Sequence, residues 1–386
     1  MIAFTAAALL TPLERIEQPL LLVEDGVVTE AVCRAHREVP GNCRVVDFGD
    51  GVLAPGLIDI HIHGGAGHDV MEDSAQALPA VERLLASHGV SSYFPTTVSA
   101  PLNTTLAALE RLADAIEQAE HNAQSEGVRA RPLGIHLEGP FLSHIRRGVH
   151  PPQDLLAPDP RVFEQFWRAS RGHVRLLTIA PELPGALDVI AQATELGVCV
   201  SVGHSDASLD ATRDAVTAGA RHATHTFNAM RPLNHRDPGI LGEVLTDPRL
   251  SADIIADGVH VDPIVVELFL RAKGPEAAVL ITDANAATGM PDGTYHLGPF
   301  EFEVHEGRCL SGGKLAGSVL TLDRAVRNTM QFAGWDLQRA LRLATVNPAR
   351  VTNLATRGQV KVGSRADLVV LSSSGEVRRT VIGGAV

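Results

Sequence analysis

The stretch Leu57-Ile-Asp-Ile-His-Ile-His63 decides the fold, because apolar and ligand-type side chains alternate along it. Successive side chains of a β-strand point to opposite faces, so the three isoleucines share one face while Asp59, His61 and His63 share the other. The two imidazoles are then about 7 Å apart along the backbone and can lean toward one metal ion. The pattern predicts a buried strand that carries metal ligands.

The position of this strand supports that interpretation. Pro55-Gly56 precedes it and Gly64-Gly65 follows it, so the histidines lie where a buried strand ends in a loop, a usual place for binding residues. With 17 histidines in 386 residues, a His-x-His pair arises by chance about once. Two structural histidines therefore remain the alternative until the rest of the chain is considered.

Short apolar runs alternate with helical patterns through most of the chain. The helical patterns include 102–119 and 185–196. Eight strand-then-helix units predict a TIM-like (β/α)8 barrel, in which functional groups gather at the C-terminal strand ends. The apolar runs span 57–63, 90–98, 132–138, 174–180, 198–204, 222–227, 251–257 and 277–283.

The two ends of the chain have a different pattern. Residues 20–28 contain the hairpin signal Asp25-Gly26, and residues 367–371 and 377–382 are rich in β-branched side chains. We expect both ends to build one small β-sandwich domain, with two unrelated tails as the alternative. A glycine-rich segment, 292–312, predicts a hairpin excursion after the eighth strand. The expected boundaries are 1–53 and 351–386 for the small domain and 54–350 for the barrel.

Composition limits the partners. The chain is 45% hydrophobic and 20% charged, with a net charge of −12, which favours a well-cored protein and argues against binding nucleic acid or an anionic membrane. Its four cysteines show no C-x-x-C spacing, as expected of reduced thiols. The apolar stretch 1–10 has no preceding basic residue, so we expect no signal peptide and a cytoplasmic location.

Ligand-type side chains follow several other predicted strands. Glu138 ends the third run with His136 on the same face, His204 follows the fifth run, His225 lies near the end of the sixth, and Asp283 ends the eighth. A structural salt bridge is the alternative for Glu138, because buried glutamates are usually paired. As an ordered set at the strand ends, these residues predict a divalent metal site with an open position for water.

The positions of the lysines restrict the type of metal site that the chain can form. One class of two-metal hydrolase bridges its ions with a carbamoylated barrel lysine, but this chain has no lysine before Lys273. Glu138 would take the bridging place. A divalent ion lowers the pKa of bound water to about 7, and Asp283 stands where a general base would face that water. Hydrolysis of an amide C–N bond is the reaction that these groups favour.

Taken together, the motifs resemble those of the N-acetylglucosamine-6-phosphate deacetylases of the amidohydrolase superfamily. The similarity covers nearly the whole chain, and the ordered set is more specific than any single motif. The motifs are Pro55-Gly-Leu-Ile-Asp-Ile-His-Ile-His-Gly64, His136-Leu-Glu-Gly-Pro-Phe141, Gly203-His-Ser205, His225-Thr-Phe-Asn-Ala-Met230, Asp257-Gly-Val-His260, Thr282-Asp-Ala284, Leu315-Ala-Gly-Ser318 and Gly363-Ser-Arg-Ala-Asp-Leu-Val369.

The resemblance implies one or two divalent ions per subunit, since some relatives lack the second. It implies that Asp283 takes a proton from the attacking water and passes it to the departing amine, while His150 helps to polarise the acetyl oxygen. Zinc is the first expectation, and iron, manganese and cobalt suit the same donors. The candidate metal ligands are Glu138, His204 and His225 for the principal ion, His61 and His63 for a second, and Asp283.

The resemblance also implies contacts to a sugar phosphate. Arg236 matches an arginine that such enzymes lend across a homodimer interface, which suits a guanidinium; an idle loop charge is the alternative. Arg146 and Arg147 are interpreted as surface charges. The substrate-binding candidates are Val149, Asn228, Ala229, Arg236, His260, Leu315, Ala316 and Gly317.

Two positions depart from the pattern of the family. Val149 stands where threonine is common, and Asp206 stands where asparagine is frequent, which adds a negative charge near the metal and leaves the sugar open. The expected reaction is hydrolysis of N-acetylglucosamine 6-phosphate to glucosamine 6-phosphate and acetate, in amino-sugar catabolism or cell-wall recycling. The alternatives are N-acetylgalactosamine 6-phosphate, an N-acyl amino acid, or a catalytically silent sugar-phosphate-binding module.

Overall fold

A computed structural model of the chain describes residues 1–121, 128–298 and 300–386. Its helices alternate with strands through the central part of the sequence, as expected. Two short 3-10 turns, Arg34–His36 and Pro152–Asp154, lie outside this alternation. The α-helices span Ala77–Ser87, Leu102–His121, Pro160–Ala169, Ala186–Glu195, Leu209–Ala218, Gly239–Thr246, Pro263–Ala277, Leu322–Ala333, Leu337–Arg342 and Val346–Val351.

The central strands pair in parallel and in chain order, which confirms the predicted mixed α/β organisation. The first six form one continuous ladder that also includes the short strand Arg131–Pro132, and the last two form another. Each strand lies within its predicted run. The central strands span Leu57–Ile62, Val90–Thr97, Ile135–Glu138, Val174–Ile179, Cys199–Val202, His222–Ala223, Ala252–Ile255 and Ala278–Ile281.

Backbone hydrogen bonds join the two ladders and return the last strand to the first. The Ala223 N–H donates to the Ser251 carbonyl at 3.0 Å, which links the sixth and seventh strands. The Asp283 N–H donates to the His61 carbonyl at 3.0 Å, and the His63 N–H donates to the Ala284 carbonyl at 2.8 Å. The C-terminal ends of the first and eighth strands are therefore neighbours, which brings His61 and His63 close to Asp283.

The sixth strand is shorter than the sequence predicts. The expected run 222–227 ends as a strand at Ala223. His225, Phe227 and Ala229 have positive φ values of 31°, 80° and 49°, a backbone conformation that cannot continue a strand. His225 therefore projects from a tight loop rather than from the ladder.

The face of the first strand opposite its histidines packs into the main hydrophobic core. Ile58, Ile60 and Ile62 are at most 1% exposed, as the alternation predicts. They pack in one contiguous cluster with side chains from the surrounding helices, such as Leu109 and Phe163. The same alternation that buries the isoleucines turns Asp59, His61 and His63 to the opposite face of the strand.

Strands from both ends of the chain form two further sheets. Asp25 and Gly26 form the predicted hairpin turn, with φ values of 51° and 75°. The C-terminal strand Leu368–Leu371 pairs antiparallel with Val52–Pro55. One sheet contains Ile2–Thr5, Pro19–Glu24, Val27–Cys33 and Arg44–Asp47, and the other contains Ala8–Leu10, Arg15–Glu17, Val52–Pro55, Leu368–Leu371 and Val377–Val381.

The glycine-rich segment after the eighth strand forms an antiparallel sheet. Its strands are Gly293–Leu297, Phe300–His305, Arg308–Ser311 and Lys314–Leu315, so the excursion continues three residues beyond the expected end at 312. A two-stranded hairpin, Gly64–Gly65 with His68–Asp69, follows the first central strand. Among the helices of the described residues, none has the length and apolar character needed to cross a membrane.

Candidate metal centre

The ligand-type side chains converge on one cavity at the C-terminal ends of the central strands. Its volume is about 290 Å³, close to the lower end of the range of about 300–1,000 Å³ for small-molecule sites. Metal-type donors lie at its base, and loop residues form its walls. The lining residues are His63, Val98, Glu138, Ile145, Arg146, Gly148, Val149, His150, His204, His225, Asn228, Ala229, His260, Asp283, Leu297, Lys314, Leu315 and Gly317.

Glu138 lies at the centre of the donor cluster, and each of its two carboxylate oxygens faces a different pair of histidines. Oε1 lies 3.2 Å from His204 Nε2 and 3.1 Å from His225 Nε2. Oε2 lies 3.5 Å from His61 Nε2 and 3.3 Å from His63 Nε2. The carboxylate therefore stands between two groups of donors, and its role as a bridge between two ions stays a prediction.

Asp283 extends the group that contains His61 and His63. Its Oδ1 lies 3.2 Å from His63 Nε2 and 3.6 Å from His61 Nε2. The two imidazole nitrogens of this group are 3.2 Å apart, and the corresponding nitrogens of His204 and His225 are 3.0 Å apart. Donors from distant parts of the sequence thus approach as closely as the ligands of a single ion.

Hydrogen bonds determine which ring nitrogen carries the hydrogen in two of these histidines. The Nδ1 of His63 lies 3.0 Å from the Thr96 carbonyl oxygen, and the Nδ1 of His204 lies 2.9 Å from the Arg146 carbonyl oxygen. A carbonyl only accepts, so each Nδ1 must carry the hydrogen. The Nε2 atoms of the neutral rings then present lone pairs to the cluster, which is the state that a metal ligand requires.

The electrostatics of the cluster favour a cation. Burial raises the pKa of Glu138, but the neighbouring imidazoles outweigh it and hold that pKa well below its usual range. Burial lowers the pKa of His63, but hydrogen bonds to Asp283 and Glu138 raise it to about 10. The same opposition raises the pKa of His225 to about 9, whereas burial prevails at His204 and lowers its pKa to about 4. The buried carboxylates are thus stabilised by nearby positive charge. A divalent ion supplies that charge and releases the imidazole protons when it binds.

The donor set fits a divalent ion in two overlapping groups. His61, His63 and Glu138 form one group and Glu138, His204 and His225 form the other, and the donor atoms of each lie within 4.8 Å of one another. All five side chains are buried. Three nitrogen and oxygen donors with an adjacent cavity match a catalytic rather than a closed structural site.

The backbone at the cavity is unusually strained. His204, Ala229 and Asp283 have φ values of 47°, 49° and 50°, in the left-handed region that non-glycine residues rarely adopt. His225 has a φ of 31° and lies near the same region. Such conformations persist only where the surrounding structure imposes them, and they cluster at functional sites.

His150 lies beside the cluster as the other tautomer, with its hydrogen on the ring nitrogen that faces the donors. The Ser99 N–H donates to its Nδ1 at 3.2 Å, so this nitrogen is an acceptor. The hydrogen of the neutral ring then resides on Nε2, which lies 3.6 Å from Glu138 Oε2 and lines the cavity. His150 can therefore donate a hydrogen bond to a bound molecule, whereas the Nε2 atoms of His63 and His204 cannot when their rings are neutral.

The other sequence-predicted positions divide between the cavity wall and the surrounding structure. Val149, Asn228, Ala229, His260, Leu315 and Gly317 line the cavity. Ala316 is fully buried behind this wall, where its carbonyl accepts a hydrogen bond from Asn285 Nδ2 at 2.7 Å. Arg236 is exposed on a loop, and no hydrogen bond or ion pair involves its guanidinium within the described residues.

Several residues of the site carry no motif that would identify them in sequence. Arg146, interpreted above as a surface charge, is only about a third exposed and lines the cavity, and its Nε donates to Asp206 Oδ1 at 2.8 Å. Lys314 lines the same cavity from the antiparallel excursion. Asp253, an acid within an apolar run, accepts a hydrogen bond from the backbone of His225. Its only sequence signal is a charge inside a predicted buried strand.

Known proteins are similar to this chain over most of its length. The model of the Amidohydrolase family matches residues 52–386. The chain is 39% identical over 382 residues to an N-acetylgalactosamine-6-phosphate deacetylase of Escherichia coli O157:H7, covering 98% of this chain and 97% of that protein. It is 35% identical over 373 residues to an N-acetylglucosamine-6-phosphate deacetylase of Lysinibacillus sphaericus, covering 96% and 94% respectively.

A similar solved structure is that of a mutant N-acetyl-D-glucosamine-6-phosphate deacetylase of Mycobacterium smegmatis in complex with N-acetyl-D-glucosamine-6-phosphate. The two chains superpose with a TM-score of 0.91 at 35% sequence identity, covering 100% of this chain and 98% of the other. The likeness therefore includes the terminal sheets as well as the central strands.

The overlap of the two donor groups generates a prediction about metal content. We expect His204→Asn to lose zinc from the group that contains His225, and His63→Asn to lose it only from the group that contains His61, because each change removes a donor from one group. Glu138→Gln should weaken both groups, since Glu138 alone belongs to both. Elemental analysis after equilibrium dialysis against zinc measures the stoichiometry.

His173→Asn is the matched control, because this histidine pairs with Glu117 at 3.2 Å and belongs to neither group. It should bind zinc as the unmodified protein does. Equal zinc content in all four variants would contradict the two-group interpretation.

Proposed function

The chain belongs to the amidohydrolase family, and we propose that it hydrolyses the acetamido bond of N-acetylglucosamine 6-phosphate to give glucosamine 6-phosphate and acetate. The observation that carries this proposal is the position of Glu138 between two histidine pairs, beside Asp283, at the base of a cavity. The named activities of the similar proteins from Lysinibacillus and Mycobacterium support the substrate. The reaction would serve amino-sugar catabolism or cell-wall recycling.

The donors would hold one or two divalent ions, with zinc as the first expectation. Glu138, His204 and His225 would bind the principal ion, and His61 and His63 a second one, with Asp283 beside them. A bound ion supplies Lewis acidity, which lowers the pKa of a water to about 7 and polarises the acetyl carbonyl. Imidazole and carboxylate donors suit iron, manganese and cobalt as well.

Asp283 is the proposed general base and acid. Burial raises its pKa, but the charge of His61 and the hydrogen bond with His63 outweigh burial and hold that pKa below its usual range. The carboxylate is therefore ionised and able to accept a proton from the attacking water. As the water oxygen bonds to the carbonyl carbon and the C–N bond breaks, Asp283 returns this proton to the departing amine nitrogen.

His150 is proposed to orient and polarise the acetyl group. Its Nδ1 accepts the Ser99 N–H, which leaves its Nε2–H directed at the cavity. A donor in this position stabilises the negative charge that develops on the acetyl oxygen in the transition state. Donation from a neutral ring requires no net charge, so it does not oppose the binding of a cation nearby.

The outer part of the cavity is proposed to bind the sugar phosphate. His260, Asn228 and the segment 315–317 supply polar groups there, and Lys314 adds positive charge at the wall, where Arg146 is paired with Asp206. The Nδ1 of His260 lies 2.7 Å from Asp257 Oδ2, which fixes the ring. We propose that Arg236, which has no partner for its guanidinium within the described chain, completes the phosphate site of a second subunit in a homodimer.

We propose that the eight central strands form a closed (β/α)8 barrel over residues 54–350, with residues 1–53 and 351–386 forming a small β-sandwich domain. Hydrogen bonds between the first and eighth strands and the pairing of Val52–Pro55 with Leu368–Leu371 support this division. A cytoplasmic location is proposed because the cysteines Cys33, Cys43, Cys199 and Cys309 are free thiols.

Acetate release tests the proposed substrate. We expect the purified protein to release acetate from N-acetylglucosamine 6-phosphate, to lose this activity on chelation, and to recover it with zinc, because the donor cluster alone provides no Lewis acid. An assay that follows acetate and free amine together measures the reaction. Stripped protein that works at full rate would contradict the metal dependence.

The galacto epimer is the competing substrate, since a similar protein of Escherichia coli O157:H7 carries that name. The epimers differ in one hydroxyl, and discrimination requires a polar group that faces it. We expect the larger kcat/KM for the gluco epimer when both are measured in parallel. A larger value for N-acetylgalactosamine 6-phosphate would change the substrate and leave the chemistry intact.

Asp283→Asn tests the proton transfer. Asparagine has the same size but cannot accept a proton, so kcat should fall by about 10²- to 10⁴-fold. The affinity for N-acetylglucosamine 6-phosphate, measured by calorimetry, should change little. Asp323→Asn is the control, because this buried carboxylate pairs with His88 and Arg327, outside the donor cluster. Retained turnover in Asp283→Asn would remove the proposed role.

Subunit mixing tests the role of Arg236. Arg236→Ala and Asp283→Asn proteins should each be nearly inactive. After free exchange of equal amounts, about half of the dimers are mixed, and each mixed dimer has one complete site if Arg236 acts across the interface. The activity should then rise to about a quarter of that of the unmodified protein. An unchanged activity after exchange confirmed by native mass spectrometry would exclude a shared site.

A further inference from the structure

The four candidate histidine ligands are oriented in two different ways. His63 and His204 are held through their rings, because each Nδ1 donates to a backbone carbonyl. The Nδ1 atoms of His61 and His225 are buried, and neither has a hydrogen-bond partner within the part of the chain that the structure describes. Within the described residues no acceptor anchors these two rings at Nδ1, which makes the backbone that carries them a main determinant of their direction.

In both of these histidines a buried aspartate holds the backbone N–H. The His61 N–H donates to Asp59 Oδ1 at 3.3 Å, and the His225 N–H donates to Asp253 Oδ1 in a short hydrogen bond. Both aspartates are fully buried. The pattern is complementary: the histidines with an anchored ring are His63 and His204, and those with an anchored backbone N–H are His61 and His225.

Asp253 is itself held on its other side. Its Oδ2 lies 2.9 Å from His222 Nε2, and His222 Nδ1 lies 2.8 Å from Ser251 Oγ. His222 and Asp253 are both fully buried, so solvent does not compete for these bonds. With one oxygen held by His222, the carboxylate cannot rotate away from the His225 N–H.

The backbone that Asp253 holds needs such support. His225 has a φ of 31°, and the loop continues through Phe227 and Ala229, which also have positive φ values. The Thr226 N–H donates to the Asp253 carbonyl oxygen at 2.9 Å, so one residue of the seventh strand holds two consecutive peptide groups of this loop. A strained loop keeps one conformation only when its surroundings impose it.

We propose that Asp253, seated by His222, is a positioning residue that sets the backbone of His225 and thereby aims His225 Nε2 at Glu138 and the principal metal ion. The inference rests on the proposed function of His225 as a metal ligand. Asp253 contacts neither the ion nor the substrate, so its effect passes through the peptide N–H. Residues that orient metal ligands in this way typically contribute 10- to 100-fold to metal affinity or activity.

Competition with a chromogenic chelator measures the zinc affinity of the unmodified protein and of two variants. Asp253→Ala removes the acceptor, and its zinc affinity should fall by about 10- to 100-fold. Asp253→Asn removes the charge but keeps a carbonyl oxygen for the His225 N–H, while its amide group can still pair with His222 Nε2 in the tautomer that accepts there. It should recover most of the lost affinity.

Two further measurements separate positioning from general stability. The visible spectrum of the cobalt-substituted protein reports ligand geometry, and it should change in Asp253→Ala but not in Asp253→Asn. The control is Asp323→Ala, which removes a buried carboxylate that lies 3.2 Å from the partly exposed His88, away from the donor cluster. The control should lower the thermal midpoint and leave the zinc affinity unchanged. If Asp253→Ala does not fold, Asp253→Leu fills the same space without an acceptor and takes its place.

A folded Asp253→Ala or Asp253→Leu protein with unaltered zinc affinity would overturn the proposal. So would an Asp253→Asn protein as weak as Asp253→Ala, because the charge and not the N–H acceptor would then matter. Acetate release by the unmodified protein reports separately on the proposed function. Zinc binding that depends on Asp253 without acetate release would refute that function and leave the positioning role intact.

Discussion

The site depends on one buried carboxylate whose two oxygens serve two pairs of imidazoles. Glu138 is 2% exposed, and water cannot screen its charge, so the side chains around it must supply compensation. In the described structure the four candidate ligand imidazoles and His150 face its two oxygens, and the raised pKa values of His63 and His225 indicate how strongly this environment favours positive charge. A divalent ion satisfies the same demand with no imidazole protonated. Burying the Glu138 carboxylate among these imidazoles is therefore energetically unfavourable without a cation, and a bound cation would stabilise it.

Convergence on Glu138 requires that distant strands end at the same level. Parallel strands in chain order place their C-terminal ends on one rim, and hydrogen bonds between the first and eighth strands bring Asp283 beside His61. The buried Thr282 reinforces this junction, because its Oγ1 donates to Asp59 Oδ2 at 2.6 Å. The rim itself departs from regular geometry, since His204, His225 and Asp283 all have positive φ values. A regular strand directs side chains only to its two faces, and these loop conformations let His204 and His225 approach Glu138 and let Asp283 approach His63.

Much of the fold and part of the site could be predicted from local sequence signals. The two-residue alternation at 57–63 identifies a strand with one apolar face, and single ligand-type residues before glycine or at run ends identify strand termini such as Glu138. The loop nature of 224–229 could not be predicted, because groups that hold it, such as Asp253 of the seventh strand, lie far away in the sequence. The role of Asp253 was hidden for the same reason: its partner His225 lies 28 residues away, and only the folded chain places them together. Arg146 looked like a surface charge because no periodic pattern governs its loop.

The position of Arg146 bears on the negative charge that Asp206 adds near the donor cluster. An extra acid two residues after His204 would be expected to strengthen the negative potential at the donor cluster and to repel a phosphate. In the structure, the Asp206 carboxylate accepts a hydrogen bond from Arg146 Nε at 2.8 Å. The backbone N–H of Asp206 donates to Glu182 Oε1 at 2.6 Å. Both members of the Arg146–Asp206 pair are about a third exposed, so the pair adds little stability but cancels most of its own field. Because the Arg146 carbonyl also accepts the His204 Nδ1–H, the arginine that neutralises Asp206 belongs to the same loop that orients a candidate ligand. The pair is therefore nearly neutral, and compared with an asparagine the aspartate offsets the positive charge that Arg146 would otherwise present at the cavity wall.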